Sequence, residues 1–327
     1  MKIYLFLIAN HFIILWLKVK NIVAGNKKIL GVVVLFEPDI HHLQKLFDSV
    51  SNQVNAVIFV DNSKVSNLDI INNLREYSSI PVIYKYLNDN KGIAIAQNIG
   101  IQYCLVENYS HVLLLDQDSI LPDTMVDKLF QAEYNLISAG KNVGAVGPSY
   151  IDVKTGVLSG AISCNLFGKK IKPLNKNSIE TTDYLISSGT LIRNKILKKI
   201  GVMDEKLFID LVDSEWCERS RMMGFDCYIV GNAILEHSIG DSSTTFMGKN
   251  VTIHNDIRHY YMVRNSLYLI LYKKISIRYK MFLLTRLPPF VLLHLLLSKN
   301  KKTKISLFYS AIIDGLMKKM YKCSFKC

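Results

Sequence analysis

The chain has 327 residues, 50% hydrophobic and 20% charged, with 7 prolines and 17 glycines scattered along it; this fits one large α/β domain with an appendage and excludes disordered, collagen-like and low-complexity classes. Its six cysteines (Cys104, Cys164, Cys217, Cys227, Cys323, Cys327) form no CxxC pair, which argues against a zinc module or a disulfide scaffold and for reduced thiols in a cytoplasmic protein. The formal charge of +13 is concentrated in one region: residues 258–327 hold 15 of the 40 Lys and Arg but only Asp314 of the 27 acids.

Residues 3–17 (IYLFLIANHFIILWL) are apolar but shorter than the roughly 20 residues a spanning helix needs. Lys18 and Lys20 follow without a small-x-small cleavage site, unlike a secretory signal. Segment 1–28 is read as an anchor, an accessory helix or a misassigned start. ILGVVVLF (29–36) is then a β-branched run of the kind buried on both faces of a sheet. Pro38 stops it, and Asp39 can cap a helix with Ile40, Leu43, Leu46, Phe47 and Val50 on one stripe. AVIFV (56–60) is a second strand, followed by a helix around Leu68, Ile71 and Leu74. PVIYKYL (81–87) is a third, followed by a helix through Ile93, Ala96, Ile99 and Tyr103, and HVLLLD (111–116) is a fourth. This alternation predicts a mostly parallel, Rossmann-like sheet flanked by helices.

Ligands of such sheets collect beyond the carboxyl ends of the strands. The candidates there are Phe36-Glu37, Asp61-Asn62-Ser63, the run Asn88-Asp89-Asn90-Lys91-Gly92, and Asp116-Gln117-Asp118. In LLLDQDS, Asp116 and Asp118 point to one face if the strand continues, and paired carboxylates at a strand end suit Mg²⁺ or Mn²⁺. The first strand–helix turn lacks GxGxxG, and GxxxxGK[ST], HExxH and GxSxG are all missing. Dinucleotide-dependent, P-loop, zinc-protease and serine-hydrolase chemistries therefore lose their main support.

Farther along, DLVDSEWCERSRMMG opens a helix with Asp213 and Glu215 in its first turn and Gly224 ending it. Asp213 there suits either a catalytic carboxylate or a helix cap. In RHYYMVRN, Tyr260 and Tyr261 read as core positions, whereas Arg258 or Arg264 could reach a phosphate. Residues 258–327 interleave cations with apolar runs, which fits amphipathic helices on an anionic membrane better than a nucleic-acid arm. Arg286, Pro288, Pro289 and His294 make 282–297 an interfacial or core helix rather than a span.

The order of VVVLFEPD, VIFVDNS, NKGIAIAQNIG, HVLLLDQDS, FIDLVDSEWCERSRMMGF, LEHSIGD and RHYYMVRN, over about residues 29–272, resembles the family 2 glycosyltransferases of GT-A fold. Within that family it is most similar to bacterial rhamnosyltransferases of surface-polysaccharide assembly. The resemblance implies a GT-A catalytic domain at 29–257; the charge pattern, and not the resemblance, makes 258–327 a basic, membrane-associating helical region. The resemblance implies donor contacts from Phe36, Glu37, Asp61, Asn90, Gly92, Asn98, Asp116 and Gly189, with Phe36 and Asp61 at the base and Asp116 near the ribose. It also implies a divalent cation (Mn²⁺ or Mg²⁺) held by Asp118, Asp116 and His237, and Asp213 as the base with Glu215 as the fallback. Two departures stand out: Gln97 where many members carry Arg, and Val212-Asp213 where they carry Glu-Asp. The implied reaction is inverting, metal-dependent transfer of L-rhamnose from dTDP-L-rhamnose to a lipid-linked glycan, with no nucleic-acid partner. Another sugar nucleotide such as a UDP-hexose stays open, as does a non-catalytic membrane- or nucleic-acid-binding module, although the intact Asp116, Asp118, Asp213 and His237 speak against the module.

Overall fold

The computed structural model describes residues 27–152, 156, 158–166, 168–237, 242–246, 249–253 and 256–323. Residues 1–26 of the apolar N-terminal segment, and Cys327, lie outside them. The described chain runs β1 (Ile29–Leu35), α1 (Ile40–Ser51), β2 (Ala56–Asp61), α2 (Leu68–Glu76), β3 (Val82–Tyr86), α3 (Ile93–Val106), β4 (His111–Asp116), α4 (Met125–Ser138) and β5 (Val143–Asp152). It continues through β6 (Ala161–Asn165), β7 (Gly168–Lys172), β8 (Ile179–Thr182), β9 (Thr190–Arg193), α5 (Asn194–Ile200), α6 (Val212–Met222) and β10 (Asp226–His237). The hairpin β11 (Ser242–Phe246) and β12 (Lys249–Ile253) precedes three helices, α7 (Asp256–Tyr272), α8 (Ile277–Leu297) and α9 (Lys301–Leu316).

The large sheet has the order β3-β2-β1-β4-β9-β5-β10-β8. Its β3-β2-β1-β4 half is parallel; β9 enters antiparallel between β4 and β5, β10 runs parallel to β5, and β8 closes the far edge antiparallel. β1 and β2 are apolar on both faces because both faces are covered. Leu30 and Val32 join the core on the α3 side, while Ile29, Val33 and Leu35 pack with Leu43, Leu46 and Phe47 of α1. Asp39 caps α1 by accepting from His42 N at 2.9 Å. Ile40 leaves the expected stripe: it is 57% exposed, and the buried face begins at Leu43. Register aligns Leu35 with Asp61 and Val34 with Asp116, so the polar strand ends are level at one edge.

The expected boundary at 257/258 falls inside the first turn of α7. Tyr260, Tyr261 and Val263 of α7 pack with Phe208, Leu307, Phe308 and Ala311, which ties the C-terminal helices to the loop ahead of α6. Among the described residues, α8 is the one helix long and apolar enough to cross a membrane, with a mean hydropathy of 1.5, and it carries Pro288 and Pro289 within it. Leu284, Leu292 and Leu296 on α8 are exposed, as are Ile305 and Tyr309 on α9.

Candidate active site

A cleft of about 720 Å³ opens at the carboxyl edge of the parallel strands, lined by Phe36, Asn62, Asn90, Gly92, Asp116 and Arg258 among others. Phe36 is 43% exposed in it. Its backbone is gripped by Gln117, which accepts from Phe36 N at 2.8 Å and donates to Phe36 O at 3.1 Å, so the middle residue of the D-x-D fixes the end of β1. Asn90 Oδ1 accepts from Asn62 Nδ2 and from Gly92 N, both at 3.0 Å. Gly92 is required there: its φ is +93°, and a Cβ would lie 2.6 Å from the Phe208 ring.

β4 ends at Asp116, and Gln117-Asp118 form a turn, so the two carboxylates are not successive same-face residues of a strand. They still share a field. Burial pushes Asp116 up to about 7, the charges of Asp213 and Asp118 push the same way, and Arg258 opposes them. Asp116 alone of the three lines the cleft, with Asp118 and Asp213 near enough for their charges to act on it. Among the described residues no cluster of three or more His, Cys, Asp or Glu could by itself hold a metal. The protein offers Asp116 and Asp118, which suits an ion that keeps positions open for substrate oxygens. The side chain of His237, at the end of β10 opposite Asp152, lies outside the described residues.

Asp213 sits in the first turn of α6 without capping it. It turns instead to the loop before β9: Ser187 Oγ donates to Oδ1 at 2.5 Å and Ser187 N to Oδ2 at 3.3 Å, while Gln97 Nε2 donates to Ser187 Oγ at 2.7 Å. Burial pushes Asp213 up to about 6 against the pull of these Ser187 bonds, and Asp210 adds to the rise. Gly189, two residues from Ser187, has φ +82° and would place a Cβ 2.7 Å from Pro148. It shapes this loop and is not among the cleft-lining residues.

Several expected site residues are bonded within the fold. Asp61 is fully buried and accepts from Ser63 N, Asn67 N, Asn67 Nδ2 and the Tyr84 hydroxyl, so its oxygens are taken and the adjacent Asn62 faces the cleft. Burial works against its charge, but these donors outweigh it and hold the carboxyl below its usual range. Glu37 is exposed with φ +46°, and its N–H is tied to Ser63 Oγ outside the cleft lining. Asn98 is buried and bonded to Met203 N, Met203 O and Glu205 Oε1, stapling α3 to the segment before α6. Glu215, the fallback base, is fully buried between Arg219 at 2.9 Å and Lys273 at 2.8 Å. Arg264 has no exposure and donates to the carbonyls of Lys206, Leu207 and Tyr321, so it is not available to a phosphate.

Sequence reasoning missed what holds the loop ahead of Asp213. Phe208, Asp210 and Leu211 all have positive φ, a conformation that costs energy in non-glycine residues. Asn265 Nδ2 donates to the carbonyls of Leu207, Ile209 and Asp210, and with Arg264 it satisfies the acceptors this bend exposes. Arg258 bonds Asp210 at 2.6 Å. RHYYMVRN offers Arg258 or Arg264 to a phosphate by sequence; the structure gives Arg264 to this loop and Arg258 to Asp210.

A doubly wound sheet with a cleft that opens at its carboxyl edge and is lined by Asp116 is the architecture of the GT-A transferases. The chain belongs to glycosyl transferase family 2, which it matches over residues 32–201. It is 32% identical over 297 residues to the dTDP-rhamnosyl transferase RfbF of Shigella flexneri, covering 89% of this chain and 96% of that protein. It is 23% identical over 252 residues to the low-salt glycan biosynthesis hexosyltransferase Agl10 of Haloferax volcanii, covering 73% and 76%. The crystal structure of GalNAc-T7 with UDP, GalNAc and Mn²⁺ superposes with a TM-score of 0.53 at 15% identity, over 79% of this chain and 54% of that one, a likeness of fold.

Proposed function

We propose that this glycosyltransferase moves L-rhamnose from dTDP-L-rhamnose, with inversion, to a lipid-linked glycan in the assembly of O-antigen, capsule or another surface polysaccharide, at the inner face of the cell membrane. The observation that carries the donor assignment is the identity of 32% with RfbF across 96% of its length. In this reading Phe36, Asn62 and Asn90 receive the nucleoside, and Asp116 lies toward the ribose. Asp213, oriented by Ser187, takes the proton of the acceptor hydroxyl as that oxygen attacks the anomeric carbon opposite the departing diphosphate. Asp116 and Asp118 would hold Mn²⁺ or Mg²⁺, with His237 as a further ligand, and the bound ion would supply charge neutralisation to the leaving group. Arg258, anchored by Asp210, adds a fixed positive charge to the same cleft.

A nucleotide-release assay over dTDP-L-rhamnose, UDP-hexoses and GDP-sugars tests the donor. Release of dTDP at least tenfold faster than the other nucleotides is expected, and preferential turnover of a UDP-hexose would overturn the assignment. The membrane reading rests on the exposed apolar faces of α8 and α9 beside the basic surplus of residues 258–327. Each Lys or Arg near an anionic leaflet contributes about 1 kcal/mol, fading beyond roughly 8 Å at physiological salt. Flotation with anionic vesicles, weakening as salt rises, is the expected result. Equal binding to neutral vesicles, or none to either, would count against it, and RNA binding without lipid binding would favour a nucleic-acid module.

A further inference from the structure

The chain does not end at α9. Residues 317–323 double back across the catalytic face and bring Lys322 and Cys323 into the lining of the donor cleft. This strap is fixed on both sides of Lys322. Tyr321 N donates to Lys206 O at 3.0 Å, the buried Arg264 donates to Tyr321 O at 2.6 Å, and Cys323 N donates to the Tyr261 hydroxyl at 2.9 Å. Tyr321 holds φ +67° to make these contacts. A half-exposed lysine on a surface segment ordinarily moves freely in solvent. This one has a backbone clamped by a buried guanidinium and a tyrosine hydroxyl, which spends ordering energy on the placement of a single cation.

Lys322 Nζ meets Asp89 Oδ1 at 2.7 Å and Oδ2 at 2.8 Å. Asp89 belongs to the loop after β3 that also carries Asn90 and Gly92, on the wall assigned above to the nucleoside. The side chains of this pair are 49% and 34% exposed, so the pair is only weakly stabilising and is easily exchanged. A diphosphate in the cleft carries more charge than one carboxylate and offers more acceptor oxygens to an ammonium group.

We propose that Lys322 is a donor-binding residue: the C-terminal strap forms a wall of the donor cleft, and its lysine moves from Asp89 to the diphosphate of the bound nucleotide. The proposal rests on the nucleotide-sugar reading of the cleft. It assigns the last helices a task in the donor site itself, because Arg264 of α7 holds both the strap and the loop ahead of Asp213.

The test is calorimetry of dTDP, UDP, GDP and thymidine, with Mn²⁺ present, on the full-length wild type, Lys322→Ala, Lys322→Arg and Asp89→Asn. Lys322→Ala should weaken binding of the preferred nucleoside diphosphate about tenfold or more, in line with loss of a charged hydrogen bond. Lys322→Arg should restore most of it, Asp89→Asn should leave it unchanged or tighter, and thymidine should not distinguish the variants. Unaltered diphosphate binding by Lys322→Ala overturns the proposal. So do equal losses in Lys322→Ala and Asp89→Asn, which would mark the pair as a loop fastener. If the wild type binds none of the three diphosphates, the nucleotide-sugar reading itself fails and takes the proposal with it.

Discussion

Asp213→Asn is expected to lower transfer by roughly 10²–10⁴-fold while leaving donor affinity intact. Asparagine keeps the size of the side chain and an oxygen to accept from Ser187 Oγ, so the loop before β9 and the start of α6 should hold their places. What disappears is the group that can carry the acceptor proton. The wild-type carboxyl sits at about 6, raised by burial and by Asp210 against the pull of Ser187. Its active form is the ionised one, so at saturating donor and cation the rate should be level above pH 6 and fall about tenfold per pH unit below it. The residual rate of Asp213→Asn should lack that limb. Calorimetry for donor affinity and product formation from pH 5 to 8 supply both halves of the test. Glu215→Gln provides the contrast: breaking its buried pairing with Arg219 and Lys273 should lower stability by roughly 3 kcal/mol, while the folded fraction transfers normally. A Glu215→Gln enzyme that is stable but inactive would move the base to Glu215.

The N-terminal half of the fold was legible because each of its elements is written locally. β1, β2 and β4 are continuous apolar runs, α1 carries its cap and stripe, and polar residues mark every strand end. The later half was not, since β8 and β9 are four-residue strands that pair antiparallel, one at the sheet edge and one between β4 and β5, and no periodicity distinguishes four residues. The partners of several expected site residues were hidden for a related reason. Asp61, Asn98 and Glu215 carry the right chemistry at plausible positions, but their partners come from distant sequence: Tyr84 for Asp61, Met203 for Asn98 at a separation of 105 residues, and Lys273 for Glu215. A carboxylate or amide read in isolation looks reactive, and only the fold reveals that its lone pairs and protons are already committed.

The departures from the family pattern fit the same physics. Gln97 stands where many members carry Arg, and it reaches Asp213 through Ser187 rather than directly, which orients the carboxylate without adding a charge that would pull its proton affinity down. Val212, in place of an acid, is buried beside it, so no second carboxylate competes for the proton at that position.

Chelation should abolish turnover and Mn²⁺ or Mg²⁺ should restore it, and Asp118→Asn should reduce it by roughly 10²-fold or more, since Lewis-acid stabilisation of a leaving group is worth several kcal/mol. Asp116 is held up to about 7 by burial and by the like charges of Asp213 and Asp118. At neutral pH such a group is about half protonated, and a cation must displace that proton to bind. Cation affinity should therefore be full above pH 7 and fall as pH drops through it, about tenfold per unit, because the raised group binds its proton more tightly than an ordinary aspartate. Asp118→Asn separates the two contributions. It removes one like charge, so the proton on Asp116 should become easier to lose and the fall in affinity should shift to lower pH, while the absolute affinity drops with the lost oxygen ligand. Titration of Mn²⁺ by calorimetry at pH 6, 7 and 8, in wild type and variant, reads both effects. Turnover that continues undiminished in chelator would remove the cation from the mechanism and leave Arg258 and Lys322 as the charges facing the diphosphate.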